Sequence, residues 1–131
     1  MPHLTIEYSS AVEQYIDIAD LCRALHAIMV ATPLFPTAGI RIRTYVAEHA
    51  IVADGHPENA FVAMGLRVGA GRSEEALRAA GDTLFAAAQS VLAEPLSKPH
   101  FALSLDIRVS DPVLSWKQTP IHTRLSAQDT P

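Results

Sequence analysis

The sequence predicts an α+β fold in which two βαβ units follow one another and pair into a four-stranded mixed sheet, with both helices on one face. Three observations lead to this prediction. Four short segments alternate apolar and polar residues, two longer segments repeat apolar residues at helical spacing, and each longer segment lies between two of the alternating ones. The units span about residues 1–59 and 60–131, and a chain of 131 residues is expected to form a single domain.

The first strand begins directly after Pro2, because Leu4, Ile6 and Tyr8 fall on one face and polar residues fall on the other. The first helix is expected from residue 18 to about residue 32, where apolar residues recur at intervals of three and four. Asp17 offers a capping carboxylate at its start. Pro33 and Pro36 end this helix.

The second strand is predicted at residues 40–46, with its apolar side chains facing inward. Arg41, Arg43 and Tyr45 then share the opposite face. Two arginines therefore lie close together on one surface of the sheet.

A turn at Asp54-Gly55 precedes the second unit, which begins with a strand at residues 61–68 whose expected partner is the segment 40–46. A long helix is then predicted from about Glu74 to Leu96. Ser73 is its expected N-cap.

The last strand is predicted at residues 101–109, where apolar and polar residues again alternate. A tail interrupted by prolines follows and contains Trp116 and Lys117. These two residues are interpreted as packing and solvated side chains, with a place at a neighbouring subunit's site as the alternative.

Helices on one face leave the other face of the sheet uncovered, and Leu, Ile or Val side chains are expected to remain there. The composition agrees with this expectation. Hydrophobic residues make up 49% of the chain, charged residues only 18%, and the mean hydropathy is +0.16. Such a surface favours a homo-oligomer in which subunits cover one another.

The formal charge of -4 and the pI of about 5.8 indicate no positively charged surface for binding nucleic acid or an anionic membrane. No apolar run is long enough to span a bilayer. The single cysteine, Cys22, lies on the apolar face of the first helix, which favours a core role in a reducing, cytoplasmic setting. The six histidines lack the spacing of a metal site, so the sequence gives no support for a metal.

Pro2 is the residue best suited to act as a catalytic base. Removal of Met1 turns its nitrogen into a secondary amine that can carry a proton, held at the start of a strand. A retained Met1 makes the same nitrogen an amide without basicity. Most chain termini have no function, so Met-Pro alone does not establish a catalytic base.

Three segments together carry a resemblance to a known superfamily: residues 2–7 (PHLTIE), 35–43 (FPTAGIRIR) and 69–73 (GAGRS). With the βαβ-βαβ order, they resemble the tautomerase superfamily, and within it most closely the 5-carboxymethyl-2-hydroxymuconate isomerases. The tail segment 114–118 (LSWKQ) and His122 extend the likeness over nearly the whole chain.

The resemblance implies a cofactor-free homotrimer of tautomerase-like fold. It implies that Pro2, Arg41 and Arg72 are catalytic residues, with Pro2 as the acid and base. Arg41 and Arg72 would also bind the carboxylates of an unsaturated di- or tricarboxylic acid. Arg43 is interpreted as a solvated strand residue and left outside the site. Proton transfer from an enol hydroxyl to a distant carbon of the conjugated chain needs only one group able to take and return a proton.

Two alternatives remain open at this point. The same scaffold supports hydration, dehalogenation or decarboxylation of unsaturated acids, with Pro2 retained. A non-catalytic trimeric ligand-binding protein with this fold is the other.

Overall fold

In a computed structural model, residues 1–128 are described, and they form four strands and four helices. The strands are β1 (His3–Ser9), β2 (Arg41–Ala47), β3 (Ala60–Val68) and β4 (Phe101–Val109). The helices are α1 (Ile18–Ala31), α2 (Glu74–Val91), α3 (Ala93–Leu96) and α4 (Pro120–Gln128). Short 3-10 turns lie at Ser10–Gln14, Thr37–Gly39 and Pro112–Leu114.

The predicted four-stranded mixed sheet with βαβ units is confirmed, with strand order β2-β1-β3-β4. β1 pairs with β2 in parallel, β3 with β4 in parallel, and the two units join through the antiparallel pair β1 and β3. The prediction that residues 61–68 pair with residues 40–46 is wrong. β1 lies between these strands, because each βαβ unit places its first strand at the centre and its second strand at the edge.

The core lies between the sheet and one layer of helices. One face of β1 and β3 is fully covered, and Asp17 and Ser73 cap α1 and α2 through side-chain oxygens that accept backbone N–H groups, as predicted. The largest side chains sealed in this layer are Leu4, Ile6, Leu21, Leu25, Met29, Leu66, Leu84 and Leu92. Truncating one of them to alanine costs about 2–5 kcal/mol, so this layer holds the first residues of β1 rigidly in place.

The uncovered face of the sheet differs from the prediction. No Leu, Ile or Val projects from it on the paired strands; its residues are mainly polar. Register places Arg41, His3, Arg67 and Arg108 side by side across all four strands. The alternation of each strand sends its large aliphatic side chains to the helical face.

Two helix boundaries also differ from the prediction. The helix expected from Glu74 to Leu96 is broken after Val91, because Pro95 has no N–H to donate four residues back and its ring crowds that carbonyl. The tail, expected to be irregular, contains α4. Its start combines Thr119, whose oxygens accept the His122 N–H, with Pro120 in the first turn.

Candidate active site

Pro2 is buried at the end of the sheet where β1 and β2 begin, which we call the amino-terminal edge. Its carbonyl accepts the backbone N–H of Arg41 at 3.1 Å, which ties the start of one strand to the other. Gly39 lies against its ring, since a Cβ at that position would stand 3.1 Å from Pro2 Cδ. The proline ring is therefore held by the sheet on one side and by a bare backbone on the other.

Met1 lines two cavities of about 190 Å³ each, and Lys117 lines both as well. The first cavity is lined by Met1, Gly69, Ala70, Ser110, Pro112, Ser115 and Lys117. The second cavity is lined by Met1, Pro36, Ala38, Gly39, Arg41, Lys117, Thr119 and His122. Among residues 1–128, no acidic side chain lines either cavity, so both are suited to an anion.

Arg41 reaches the second cavity from β2. Its Nη1 donates to the carbonyls of Ala38 at 2.9 Å and Ile40 at 3.0 Å. A guanidinium has five N–H donors, so these bonds fix its orientation and leave donors for a ligand. The structure thus brings Arg41 and the amino terminus to one cavity.

Arg72 follows the turn between β3 and α2. Its Nε donates to the Leu34 carbonyl at 3.2 Å and its Nη1 to the Gly69 carbonyl at 3.0 Å. Gly71 has a φ of 104°, which an L side chain rarely adopts, and this turn directs the chain into α2. A Cβ built on Gly69 would lie 3.5 Å from Arg72 Nη1 and 3.7 Å from the Met1 nitrogen, so a small residue there keeps these groups close.

The electrostatic surroundings of the amino terminus favour a neutral amine. Burial lowers the pKa of the Met1 amino group below its ordinary value of 8.0, and the positive charges of Arg72, Lys117 and Arg67 lower it further. An amine at this edge of the sheet therefore loses its proton more readily than an exposed chain terminus does.

Lys117 lines both cavities of its own chain, a position that the sequence interpretation missed. The segment after β4 folds back over the amino-terminal edge, and α4 packs near the 3-10 turn Thr37–Gly39. The helix-start signal Thr119-Pro120 was visible in the sequence. Its contact with a turn some 80 residues earlier was not. Trp116, interpreted as a packing residue, is 84% exposed in the isolated chain.

A third cavity, of about 230 Å³, lies on the uncovered face of the sheet beside His3, Arg43, Arg67 and Arg108. Arg67 Nη2 lies 3.0 Å from His3 Nδ1. Burial lowers the pKa of His3, with Arg67, Arg43 and Arg41 adding to the effect, so this imidazole stays neutral to lower pH than usual. Arg43 therefore belongs to the open face and does not border the two cavities at Met1.

Two histidines and a glutamate form a cluster at the far end of the sheet that sequence spacing did not reveal. Its members are His56, Glu58 and His100. His100 Nδ1 lies 3.1 Å from Asn59 Oδ1 and its Nε2 lies 3.3 Å from Glu58 Oε2. His56 Nδ1 accepts the Glu58 N–H at 3.1 Å, so neutral His56 carries its proton on Nε2. Neither nitrogen of His56 is then free to bind a metal, and hydrogen bonding accounts for the group.

No helix among the described residues combines the length and apolar composition required to cross a lipid bilayer.

The two βαβ units and their four-stranded mixed sheet define the class of protein, one of the tautomerase fold. A solved structure described as a fused 4-OT wild-type symmetric trimer shares this fold, with a TM-score of 0.61 and 16% identity over 88% of this chain and 93% of that chain. At that identity the likeness concerns the fold alone.

Closer relatives narrow the class to one family. Residues 2–125 match the model of the family described as CHMI, 5-carboxymethyl-2-hydroxymuconate isomerase. The Escherichia coli protein named 5-carboxymethyl-2-hydroxymuconate Delta-isomerase is 35% identical over 122 residues, which cover 93% of this chain and 97% of that protein. The crystal structure of a 5-carboxymethyl-2-hydroxymuconate isomerase from Deinococcus radiodurans R1 is 36% identical, with a TM-score of 0.89 over 95% of this chain and 93% of that one. The chain belongs to the 5-carboxymethyl-2-hydroxymuconate isomerase family.

Proposed function

We propose that this protein converts a 5-carboxymethyl-2-hydroxymuconate-like dienol acid into its unsaturated 2-keto isomer, with the processed amino terminus at Pro2 as acid and base. The observation that carries the proposal is the position of the amino terminus, which borders two cavities that are lined by cations and, within the described part of the chain, by no carboxylate. The names of the two relatives support the choice of substrate.

Removal of Met1 is part of the proposal, because a peptide-bonded Pro2 nitrogen has no basicity. Each cavity alone is smaller than the roughly 300–1,000 Å³ usual for small-molecule sites, whereas the two joined fall within that range. Loss of the methionine removes one of the two residues, Met1 and Lys117, that line both cavities, and it exposes the Pro2 nitrogen beside them. The cations that lower the pKa of the Met1 amine would act on the new amine in the same sense.

In this mechanism the neutral Pro2 nitrogen takes the proton of the enol hydroxyl. Electrons move along the diene as the C–O bond becomes a carbonyl, and the protonated nitrogen returns its proton to the far carbon of the diene. One O–H bond breaks and one C–H bond forms, so the reaction is an isomerisation without a co-reactant.

Arg41 and Arg72 bind carboxylates of the substrate through the N–H groups that their backbone bonds leave free. Charge that develops on the conjugated acid during transfer is stabilised by the same guanidinium groups. The N–H groups of the turn at the start of α2 add donors for an anion.

The assembly proposed for this enzyme is a cytoplasmic homotrimer, with each chain forming one domain of two βαβ units. Exposed apolar side chains after β4 support subunit contacts, since Val113, Leu114 and Trp116 are 79%, 69% and 84% exposed. The uncovered sheet face is a further surface available to a neighbouring subunit.

The test combines intact mass with an absorbance assay of ketonisation. We expect the native protein to lack Met1 and to ketonise 5-carboxymethyl-2-hydroxymuconate, while Pro2→Ala loses about 10²–10⁴-fold in kcat. Pro99→Ala, at the far end of the sheet, serves as control and keeps normal turnover. A fully processed wild type that does not ketonise the substrate contradicts the proposal, and hydration or dehalogenation of another unsaturated acid then becomes the leading alternative. A Pro2→Ala variant with unchanged turnover contradicts the role of Pro2 as acid and base.

A further inference from the structure

We propose that Lys117 is a substrate-binding residue that holds the third carboxylate of a tricarboxylic acid and thereby sets the preference of the site for tricarboxylates over dicarboxylates. This inference rests on the proposed function and deepens it. It begins from the position of one side chain that borders both cavities at Met1.

The ammonium of Lys117 has no counter-charge within the described residues. Across residues 1–128, no carboxylate lies within 4 Å of it, although three other cation and carboxylate pairs of the chain, Arg23 with Asp20, Arg78 with Glu74 and Lys98 with Glu94, do reach that distance. Lys117 nevertheless acts electrostatically on the amino terminus, because its charge contributes to the lowered pKa of the Met1 amine. It is therefore a cation close to the reacting nitrogen and open to a ligand.

The three cations at the amino terminus occupy different sides of it. Arg41 borders the second cavity, and Arg72 is tied to the carbonyl of Gly69, which borders the first. Lys117 borders both cavities and is the only one of the three carried by the segment after β4. A ligand that spans both cavities meets Arg41 and Lys117 in their lining and lies next to Gly69, to which Arg72 is bonded. These three charges match an acid with three carboxylates.

The chemistry of Lys117 differs from that of the two arginines. Both guanidinium groups are fixed by backbone carbonyls and suit bidentate binding, whereas the lysine is a single charge on a flexible stem without a hydrogen-bond partner among the described residues. Such a group follows a carboxylate on a flexible methylene arm. The carboxymethyl branch of the proposed substrate has this character.

The experiment compares Lys117→Met with Lys98→Met on two substrates, 5-carboxymethyl-2-hydroxymuconate and the dicarboxylate 2-hydroxymuconate. Lys117→Met keeps much of the apolar stem and removes the charge. We expect KM for the tricarboxylate to rise about tenfold or more, as for loss of one charge-assisted contact, and KM for the dicarboxylate to change less than about twofold. Lys98→Met, which removes an exposed lysine paired with Glu94, should leave both unchanged.

The ratio of the two specificity constants is the decisive readout. Loss of the Lys117 charge also shifts the pKa of the catalytic amine, but that effect alters both substrates alike and cancels in the ratio. An unchanged ratio, including one in which kcat/KM falls equally for both substrates, overturns the role of Lys117 and leaves the proposed function intact. A processed wild type that ketonises neither substrate overturns the proposed function and this inference together.

Discussion

The two ends of the sheet differ in how their polar side chains are paired. Those at the far end bond to one another, whereas the cations at the amino-terminal edge have no carboxylate partner among residues 1–128. At the far end, His100 contacts Asn59 and Glu58, and the Asn59 amide donates to the Val52 carbonyl and the Asp54 carboxylate. At the amino-terminal edge, Arg41 and Arg72 contact backbone carbonyls alone. Lys117 has no carboxylate within 4 Å among residues 1–128.

The difference shows how to separate a structural polar cluster from a binding site. At the far end, hydrogen bonds and an ion pair join the polar side chains to one another and to the backbone, so they stabilise a loop. At the amino-terminal edge, Arg41 and Lys117 line cavities without a carboxylate among residues 1–128, so an added anion is attracted there. A count of polar residues would not distinguish the two ends.

Arg72→Ala provides the strongest test of this contrast after the Pro2 variant. We expect kcat/KM to fall about 10²–10³-fold, since a fixed donor to the reacting acid is lost. Arg78→Ala is the matched control, because Arg78 is exposed on α2 and pairs with Glu74. Similar activity in both variants would show that the excess charge at the edge has no part in turnover.

Gly39→Ala tests whether the rigid placement of Pro2 matters. A Cβ at Gly39 would stand 3.1 Å from the proline ring and push it by a few tenths of an ångström, whereas a Cβ at Gly69 would meet Arg72 and Met1 at ordinary contact distances. We expect kcat to fall about tenfold in Gly39→Ala, because a small displacement of a reacting group is costly. Gly69→Ala should lose less, and the reverse order in steady-state kinetics would contradict this description of the site.

Asn59→Ala probes the far end and has the smallest expected effect on activity. The backbone N–H of His56 and the side-chain amide of Asn59 donate to the Asp54 carboxylate and lower the pKa of that carboxyl. We expect Asn59→Ala to lower the free energy of unfolding at neutral pH and to leave kcat and KM unchanged. Denaturant unfolding and the ketonisation assay measure the two quantities.

The same variant has a defined pH dependence. A carboxyl with a lowered folded pKa contributes stability above its unfolded pKa and loses it as the pH falls through the folded value. The stability difference between wild type and Asn59→Ala should therefore narrow in acid. A gap that widens as the pH falls would rule out the Asp54 contact as its source.

Local patterns in the sequence were sufficient for most of the elements. Alternation located the strands, and the Asp17 and Ser73 caps located the starts of α1 and α2. Strand order was not predicted correctly, because alternation states which face a side chain occupies and not which strand lies beside it. The break after Val91 was visible in principle, since Pro95 stands four residues further on.

For the candidate site, the sequence indicated Pro2, Arg41 and Arg72 through their motifs, and their roles remain predictions. Lys117 and the His56–His100 group could not be placed in the same way. Each depends on contacts between segments far apart in the chain, and no local spacing encodes them. Lys117 was also difficult to identify because it follows Trp116 in the segment after β4, and a charged residue in such a segment is typical of a solvated tail.

Pro2 is buried, whereas Met1 is partly exposed and borders the cavities at the start of β1. On the proposed mechanism, the Pro2 nitrogen becomes basic only after the bond to Met1 has been cleaved. A chain that keeps Met1 is then folded but inactive, so the specific activity of a preparation reports the fraction of its chains that were trimmed.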